Sequence, residues 1–341
     1  MRWLIYGHKG WIGSQLISLL KEDQSDELVL TDTRVEDPEK VSEEIRSVRP
    51  DRVISLIGRT SGPGYSTIDY LEQKGKLVEN IRDNLFGPAI LAEICRREGV
   101  HLTYLGTGCI FDYGDNKLPH KKGDSSPPNP GGRRHYWNDN DNDNDNDNDS
   151  NKDNDDNNNS DGEHCRMFTE DDKPNFFGSS YSIVKGYTDR LYHLYSDTAL
   201  NVRIRMPITN VDCPKNFISK IIRYSKIHSV ANSMTVLDEL LPILISMSKS
   251  GLTGTINLCN PGAISHNEIL ELYKKYVDPN FTYQNISKDE LSNILAAARS
   301  NNTLDTTRLE QFCEQNNLKL SKIGEAIVNT LTTWSGGQLS P

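Results

Sequence analysis

The chain has 341 residues, more than one minimal core requires, with 35% hydrophobic residues, a net charge of −10 and six cysteines. No apolar run approaches membrane-spanning length, and no basic patch marks a nucleic-acid binder. The cysteines (Cys95, Cys109, Cys165, Cys213, Cys259 and Cys313) stand without pairs at metal-ligand spacing, so no metal site is expected, and they read as free thiols of a reducing compartment.

The N-terminus opens directly on a strand-like run, Arg2 to Tyr6, with no charged leader and apolar core before it, so a soluble cytoplasmic protein is expected. The run ends at Gly7, and GHKGWIGSQLISLL then supplies Gly7, Gly10 and Gly13 ahead of a helical pattern. In such a loop the first glycine permits a tight turn, the second lets backbone N–H groups approach a pyrophosphate, and the third lets helix and strand pack closely. The spacing is GxxGxxG rather than GxGxxG, but strand, loop and helix come in the required order.

A second strand is expected at Leu28 to Leu30. Asp32, about twenty residues beyond the glycines, stands where a carboxylate would hold a ribose hydroxyl, while Arg34 would hold a 2′-phosphate. The two point opposite ways. A helix at Pro38 to Val48, a strand at Arg52 to Ile57, a long helix reaching Arg97 and a strand at His101 to Leu105 continue the alternation. This order predicts a Rossmann-type doubly wound parallel sheet with both faces covered, and a ligand over the loops Gly58 to Gly64 and Gly106 to Asp112. In the second loop Thr107 offers a hydroxyl for a substrate carbonyl. Cys109, two residues on, faces the same way if the segment is extended, yet on its sequence context alone it reads as a buried packing residue.

From Asn138 to Ser160 the chain carries nine Asp against one Lys, so a net −8 of the −10 sits in one Asp/Asn tract. Lacking apolar side chains to offset its ordering entropy, an insertion spanning about 120–165 is expected to be a disordered loop. Beyond it, FGSSYSIVK (Phe177 to Lys185) places Tyr181 four residues before Lys185 on one face of an amphipathic helix. A phenol titrates near about 10, and a neighbouring ammonium favours its ionised form. Beside a nicotinamide, the pair would give a proton to a carbonyl that receives a hydride. A strand follows at Asn201 to Arg205. After Met206-Pro207 separate helices and short strands such as Thr255 to Leu258 suggest a second, smaller domain, residues 206–341 against 1–205.

These motifs, together with others downstream, resemble the UDP-4-keto-6-deoxyglucose 3,5-epimerase/4-reductases that make UDP-rhamnose, within the extended short-chain dehydrogenase/reductase superfamily. The resemblance spans nearly the whole chain. It rests on GWIG (Gly10 to Gly13), TGCIF (Thr107 to Phe111), D-x-PNF-x-GS-x-YS ending at Ser182, and RMPI (Arg205 to Ile208). NF-I-x-K-I from Asn216, NSMT-x-LDELLPI from Asn232, NPG…SHNEILE from Asn260 and RSNN-x-LD from Arg299 complete it. It implies a Rossmann-type α/β fold with a smaller α/β substrate-binding domain. It also implies Tyr181, Lys185 and Thr107 as the reductase residues, with Asn84 at the polar position that orients them. Cys109 and Lys220 match the epimerisation residues, which replaces the packing reading of Cys109. Gly7, Gly10, Trp11, Ile12, Gly13, Arg34, Asn84, Tyr181 and Lys185 would hold the cofactor, and Asn216, Arg299 and Asn301 the substrate.

The implied reaction converts UDP-4-keto-6-deoxy-D-glucose to UDP-L-rhamnose. The cofactor expected is NADPH, with NADH as the lesser possibility because Asp32 lies beside Arg34. A ketone at carbon 4 acidifies the protons on carbons 3 and 5. A thiol, titrating near about 8.5, suits their removal. The family's plant members often carry a fused 4,6-dehydratase; here a separate UDP-glucose 4,6-dehydratase is expected upstream, and a homodimer is one assembly open to the chain, whose oligomeric state the sequence does not settle. The Asp/Asn insertion, the longer Gly58 to Tyr70 segment, Asp32, and Ala298 where a proline usually stands depart from the family pattern. Two alternatives are a 4-reductase like the dTDP-4-dehydrorhamnose reductases and a non-catalytic regulatory subunit.

Overall fold

The computed structural model describes residues 1–113 and 167–335, so the Asp/Asn tract and Cys165 lie outside the described residues. The chain starts with β1 (Arg2–Tyr6), α1 (Trp11–Leu20), β2 (Glu27–Thr31), α2 (Pro38–Val48) and β3 (Arg52–Ser55). The long helix expected next is interrupted: α3 (Leu77–Ile81) passes through a π-helical turn at Arg82–Phe86 into α4 (Gly87–Arg97). Pro88 supplies no N–H, and the wider turn accommodates that loss. Then come β4 (His101–Thr107), α5 (Ser180–Tyr192) and β5 (Ala199–Ile204).

Beyond β5 the chain leaves the sheet through β6 (Pro207–Ile208), α6 (Phe217–Ile221), β7 (Lys226–Ile227) and β8 (Thr235–Val236). It continues as α7 (Leu237–Ser250), β9 (Gly254–Asn257), α8 (His266–Tyr276), β10 (Gln284–Asn285), α9 (Lys288–Ser292), α10 (Thr307–Gln315) and α11 (Ile323–Thr332).

The main sheet has six strands in the order β2-β1-β3-β4-β5-β9, each paired parallel to its neighbours. Its crossovers cover both faces, as parallel pairing requires. On one face Leu16, Ile17 and Leu20 of α1 pack with Leu240, Leu244 and Met247 of α7 against Trp3, Ile5 and Val202. On the other, Val41 and Ile45 of α2 and Leu91 and Cys95 of α4 pack against Leu4, Val53 and Tyr104.

The helix and strand at 237–257, expected in the smaller lobe, are therefore part of the main sheet: β9 pairs with β5 from Leu200↔Gly254 to Arg203↔Asn257. An amphipathic pattern shows that a helix must bury one face, but not which of two cores receives it. A separate cluster, including Ile208, Ile218, Ile227, Met234, Ile269 and Ile327, gathers α6, α8, α11 and the short β6–β8 and β7–β10 pairs.

Candidate active site

The glycine loop has the geometry of a phosphate cradle. Gly7 turns at φ +81°, a conformation that favours glycine. At Gly13 a Cβ would stand 2.4 Å from the Gly7 carbonyl oxygen, so the loop and α1 touch backbone to backbone. Gly10 is the N-cap of α1 and supplies no side chain, so the first-turn N–H groups at Trp11, Ile12 and Gly13 carry no side-chain cap. Trp11, Ile12 and Gly13 line the main cleft, and a second depression of about 280 Å³ runs from the loop across Thr31 to Glu36.

There the opposition of Asp32 and Arg34 resolves. Lys9 Nζ donates to Asp32 at 2.6 Å and His8 lies 3.8 Å from the same carboxylate. The Lys9 contact holds the Asp32 carboxyl below its usual range. Arg34, 63% exposed, is held by Glu36 at 3.1 Å, with Asp83 4.0 Å away. A dianionic phosphate at this mouth would meet Lys9 and Arg34, with the charge on Asp32 already engaged. The cradle and these cations fit a 2′-phosphorylated dinucleotide.

The reacting groups converge where β4 ends and α5 begins. Ser179 caps α5 by accepting from the Ser182 N–H, and Ser182 Oγ donates to the Cys109 carbonyl at 2.8 Å. This ties the loop after β4 to the first turn of α5. The Cys109 N–H in turn donates to Thr107 Oγ1 at 3.1 Å. Tyr181 packs with Tyr70, Leu71 and Cys109. Thr107, Cys109, Tyr181, Lys185 and Lys220 all line one cleft of about 660 Å³.

Tyr181 and Lys185 share a helix face as their spacing predicts, but the ammonium does not settle on the phenol. Lys185 Nζ donates to the hydroxyl of Tyr104, a buried residue of β4 stacked on Tyr192 at 4.3 Å. Burial pulls Lys185 down to about 8 against the opposing field of Asp189. Burial also raises the Tyr181 phenol, Cys109 adds to the rise, and the Thr107 hydroxyl eases it back. Tyr181 is thus held protonated, as a proton donor must be. Tyr104 carries no motif of its own, and sequence gave no signal for its role.

The chain beyond β5 also lines the cleft. Lys220 on α6 is pulled below the usual lysine value by burial, partly countered by Cys213. Arg299 pairs with Asp69, which also accepts from the Ala297 N–H at 3.0 Å. Burial alone would raise the Asp69 carboxyl, yet Arg299 and Thr67 hold it below its usual range. The Gly58 to Tyr70 segment, which lacks the family's pattern, lines the cleft from Gly58 through Thr60 and Ser66 to Asp69. Asn301 lines the cleft and accepts from Asn232 at 3.1 Å. His228 and His266 also line it; burial lowers His266 to about 4.

Two expected residues sit differently. Asn216 is fully buried as the N-cap of α6: its amide donates to the Thr209 and Val211 carbonyls at 2.7 and 2.8 Å, and its oxygen accepts from the Ile218 N–H. It is not among the residues lining the cleft. Asn84, in the π turn, accepts from the Arg59 N–H at 2.8 Å and donates to the Arg59 carbonyl at 2.9 Å. It lines the cleft and holds the loop after β3 at its border, and makes no hydrogen bond to Thr107.

The RmlD substrate binding domain model matches residues 1–134. A bifunctional dTDP-4-dehydrorhamnose 3,5-epimerase/dTDP-4-dehydrorhamnose reductase of Arabidopsis thaliana is 38% identical over 322 residues, 94% of this chain and 90% of that one. The crystal structure of the L780 UDP-rhamnose synthase from Acanthamoeba polyphaga mimivirus is 44% identical, covering 98% of this chain and 99% of that one with a TM-score of 0.81. A Bacillus anthracis dTDP-4-dehydrorhamnose reductase solved in complex with NADP shares the fold at 16% identity, covering 96% of this chain and 98% of that one with a TM-score of 0.68.

Proposed function

The chain belongs to the family of bifunctional 3,5-epimerase/4-reductases that form nucleotide-activated rhamnose, and from that premise we propose how its residues divide the work. It is an NADPH-dependent oxidoreductase and isomerase that converts UDP-4-keto-6-deoxy-D-glucose to UDP-L-rhamnose. Cys109 takes the protons from carbons 3 and 5, which the ketone at carbon 4 has acidified. Lys220 returns a proton from the other face at each carbon, and between the two inversions Cys109 gives up its proton to solvent while Lys220 takes one back. Its lowered pKa suits that exchange.

NADPH supplies the hydride for carbon 4. Tyr181 gives its phenolic proton to the oxygen at carbon 4, and the Thr107 hydroxyl holds that oxygen in place. The Lys185 ammonium, one helical turn along α5, favours the phenolate left behind. Gly7, Gly10 and Gly13 take the pyrophosphate at the start of α1, while Lys9 and Arg34 take the 2′-phosphate. Arg299 and Asn301 face the sugar nucleotide. In this division residues 1–205 carry the cofactor, and the substrate lobe comes from 206–341 apart from the segment that returns to the sheet.

The single observation that carries the bifunctional reading is that Cys109 and Lys220 line the same cleft as Tyr181 and Lys185. A plain reductase needs only the second pair, and a regulatory subunit needs neither. The substrate must come from a 4,6-dehydration, which calls for acidic residues directly after Thr107 where this chain has Gly108 and Cys109; a dehydratase site other than this one supplies it. Among the described residues no helix is long and apolar enough to cross a membrane; the five described cysteines are free, as in a reducing, cytoplasmic setting. The test is to incubate the purified protein with UDP-4-keto-6-deoxyglucose and NADPH in deuterated water. Deuterium at carbons 3 and 5 together with NADPH oxidation is expected. Oxidation of NADPH only on a sugar already inverted would leave a plain reductase, and neither signal would leave a non-catalytic protein.

A further inference from the structure

Four of the sequence motifs meet at one buried guanidinium that the reaction itself does not use. Arg205 is fully buried, and no carboxylate pairs with it among the described residues. Its Nη1 donates to the Gly108 carbonyl at 3.0 Å and to Ser300 Oγ at 2.8 Å. Its Nη2 donates to Asn232 Oδ1 at 2.6 Å and to the Ser300 carbonyl at 3.1 Å. Asn302 reinforces the same junction, donating to the Gly108 carbonyl at 3.0 Å and the Phe111 carbonyl at 2.8 Å. The Arg205 stem also presses on Gly108, where a Cβ would lie 3.0 Å from its Cγ.

A desolvated cation with only neutral acceptors is an expensive way to fasten three segments of the chain. What a guanidinium offers is a planar fork that reaches acceptors on several segments at fixed angles, which an ammonium cannot do. One end of this fork holds Gly108, the residue between Thr107 and Cys109. The other holds Ser300, the residue between Arg299 and Asn301, both of which line the cleft. Tyr181 and Lys185 are carried by α5, which meets the Cys109 loop through the Ser182 hydroxyl rather than through Arg205.

We infer that Arg205 is a positioning residue for epimerisation: it locks the loop bearing Cys109 to the loop bearing Arg299 and Asn301, and so sets where the thiol stands relative to the sugar ring. This rests on the reading of Cys109 as the base. Hydride transfer to carbon 4 depends on the clamp less: its proton comes from Tyr181 on α5, and of the groups assigned to that step only the Thr107 hydroxyl adjoins the clamped Gly108. Misplacing a base by about 1 Å costs on the order of 100-fold in rate, so the two half-reactions should respond differently to its loss.

The experiment compares the parent with Arg205→Lys and with Ser300→Ala, which removes one acceptor and leaves the buried cation. Two rates are read: deuterium exchange at carbons 3 and 5 of the 4-keto-6-deoxyglucose nucleotide with oxidised cofactor present, and NADPH oxidation with the 4-keto sugar nucleotide already inverted at both carbons. Arg205→Lys should lose exchange by about 100-fold while reduction of the inverted sugar, which also reports a folded site, falls by a much smaller factor, since Thr107 and Arg299 adjoin the clamped residues. Ser300→Ala should shift in the same sense by a smaller factor, and decides the matter if Arg205→Lys does not fold. Equal losses in both rates, or unchanged exchange, would overturn the inference alone. A parent that exchanges no deuterium would overturn the bifunctional reading and the inference with it.

Discussion

Cys109 and Tyr181 reach one cleft from different elements, the loop after β4 and the first turn of α5, so each can be changed without displacing the other's backbone. Cys109→Ser leaves a hydroxyl too weakly acidic to act near neutrality, and should stop deuterium entry at carbons 3 and 5 while the inverted sugar is still reduced. Tyr181→Phe should do the reverse, abolishing NADPH oxidation while exchange continues. NMR of the sugar alongside cofactor absorbance reads both; a cysteine variant that exchanges at the parent's rate would move the base elsewhere.

Lys185 carries a stability consequence as well as a chemical one. Its folded pKa of about 8 lies below the ordinary 10.5. Between those values the unfolded chain binds more protons than the folded one, so stability rises with pH across that window. Below pH 8 both states hold the proton and the burial penalty is fully present, about 3 kcal/mol at roughly 1.4 kcal/mol per unit. Lys185→Met should therefore stabilise the protein near neutrality by about 1–2 kcal/mol, the Tyr104 hydroxyl left without its donor taking back part of the gain. The advantage should shrink at about pH 10, and reduction should be lost. Denaturant melts at the two pH values check it.

At the scale of elements, α6 shows how one motif can serve structure and chemistry at once. The string from Asn216 to Ile221 suggested two functional side chains; Lys220 lines the cleft, whereas Asn216 starts the helix that presents it. Asn216→Ala removes a cap and leaves the Thr209 and Val211 carbonyls without their buried donor, for a loss of about 2 kcal/mol. The expected result is a lower denaturation midpoint with substrate KM little changed. Full stability with a large rise in KM would instead return Asn216 to the substrate. The π turn at Arg82–Phe86 has a similar duty: it turns Asn84 toward the peptide of Arg59 and so holds the loop after β3 at the edge of the cleft.

At the scale of the whole molecule, cofactor binding and folding are linked, because a dinucleotide recognises only the assembled cradle. NADPH at about 100 times its Kd should raise stability by about 2.7 kcal/mol. At equal concentration NADH should raise it less, since the second phosphate meets Lys9 and Arg34. Arg34→Ala should reduce the NADPH shift more than the NADH shift. Lys9→Ala should do so further, because it also releases the charge of Asp32 toward the phosphate. The NADPH advantage should fall with added salt, as exposed charges are screened over about 8 Å at physiological ionic strength. Thermal melts with each cofactor read all of this; equal shifts for both cofactors in the parent would take Lys9 and Arg34 out of the 2′-phosphate site.

Local chemistry determined much of this protein in advance. The positive φ required at Gly7, the close approach at Gly13, the i,i+4 spacing of Tyr181 and Lys185, and the strand–helix alternation are short-range constraints, and each is legible where it occurs. The same holds for the capping box of Ser265 and Glu268, which starts α8. Only the tertiary structure decided the rest, because it depends on which distant segments share a core. It returned α7 and β9 to the main sheet, gave Lys185 the Tyr104 hydroxyl as its resting partner, covered Asp32 with Lys9, and turned Asn216 inward. Likewise it brought Gly108, Asn232 and Ser300, separated by up to 192 positions along the chain, within reach of one guanidinium. A residue's neighbours along the chain fix its conformation; what it touches across the chain is fixed by packing, and a buried polar group such as Arg205 acquires its role only from those contacts.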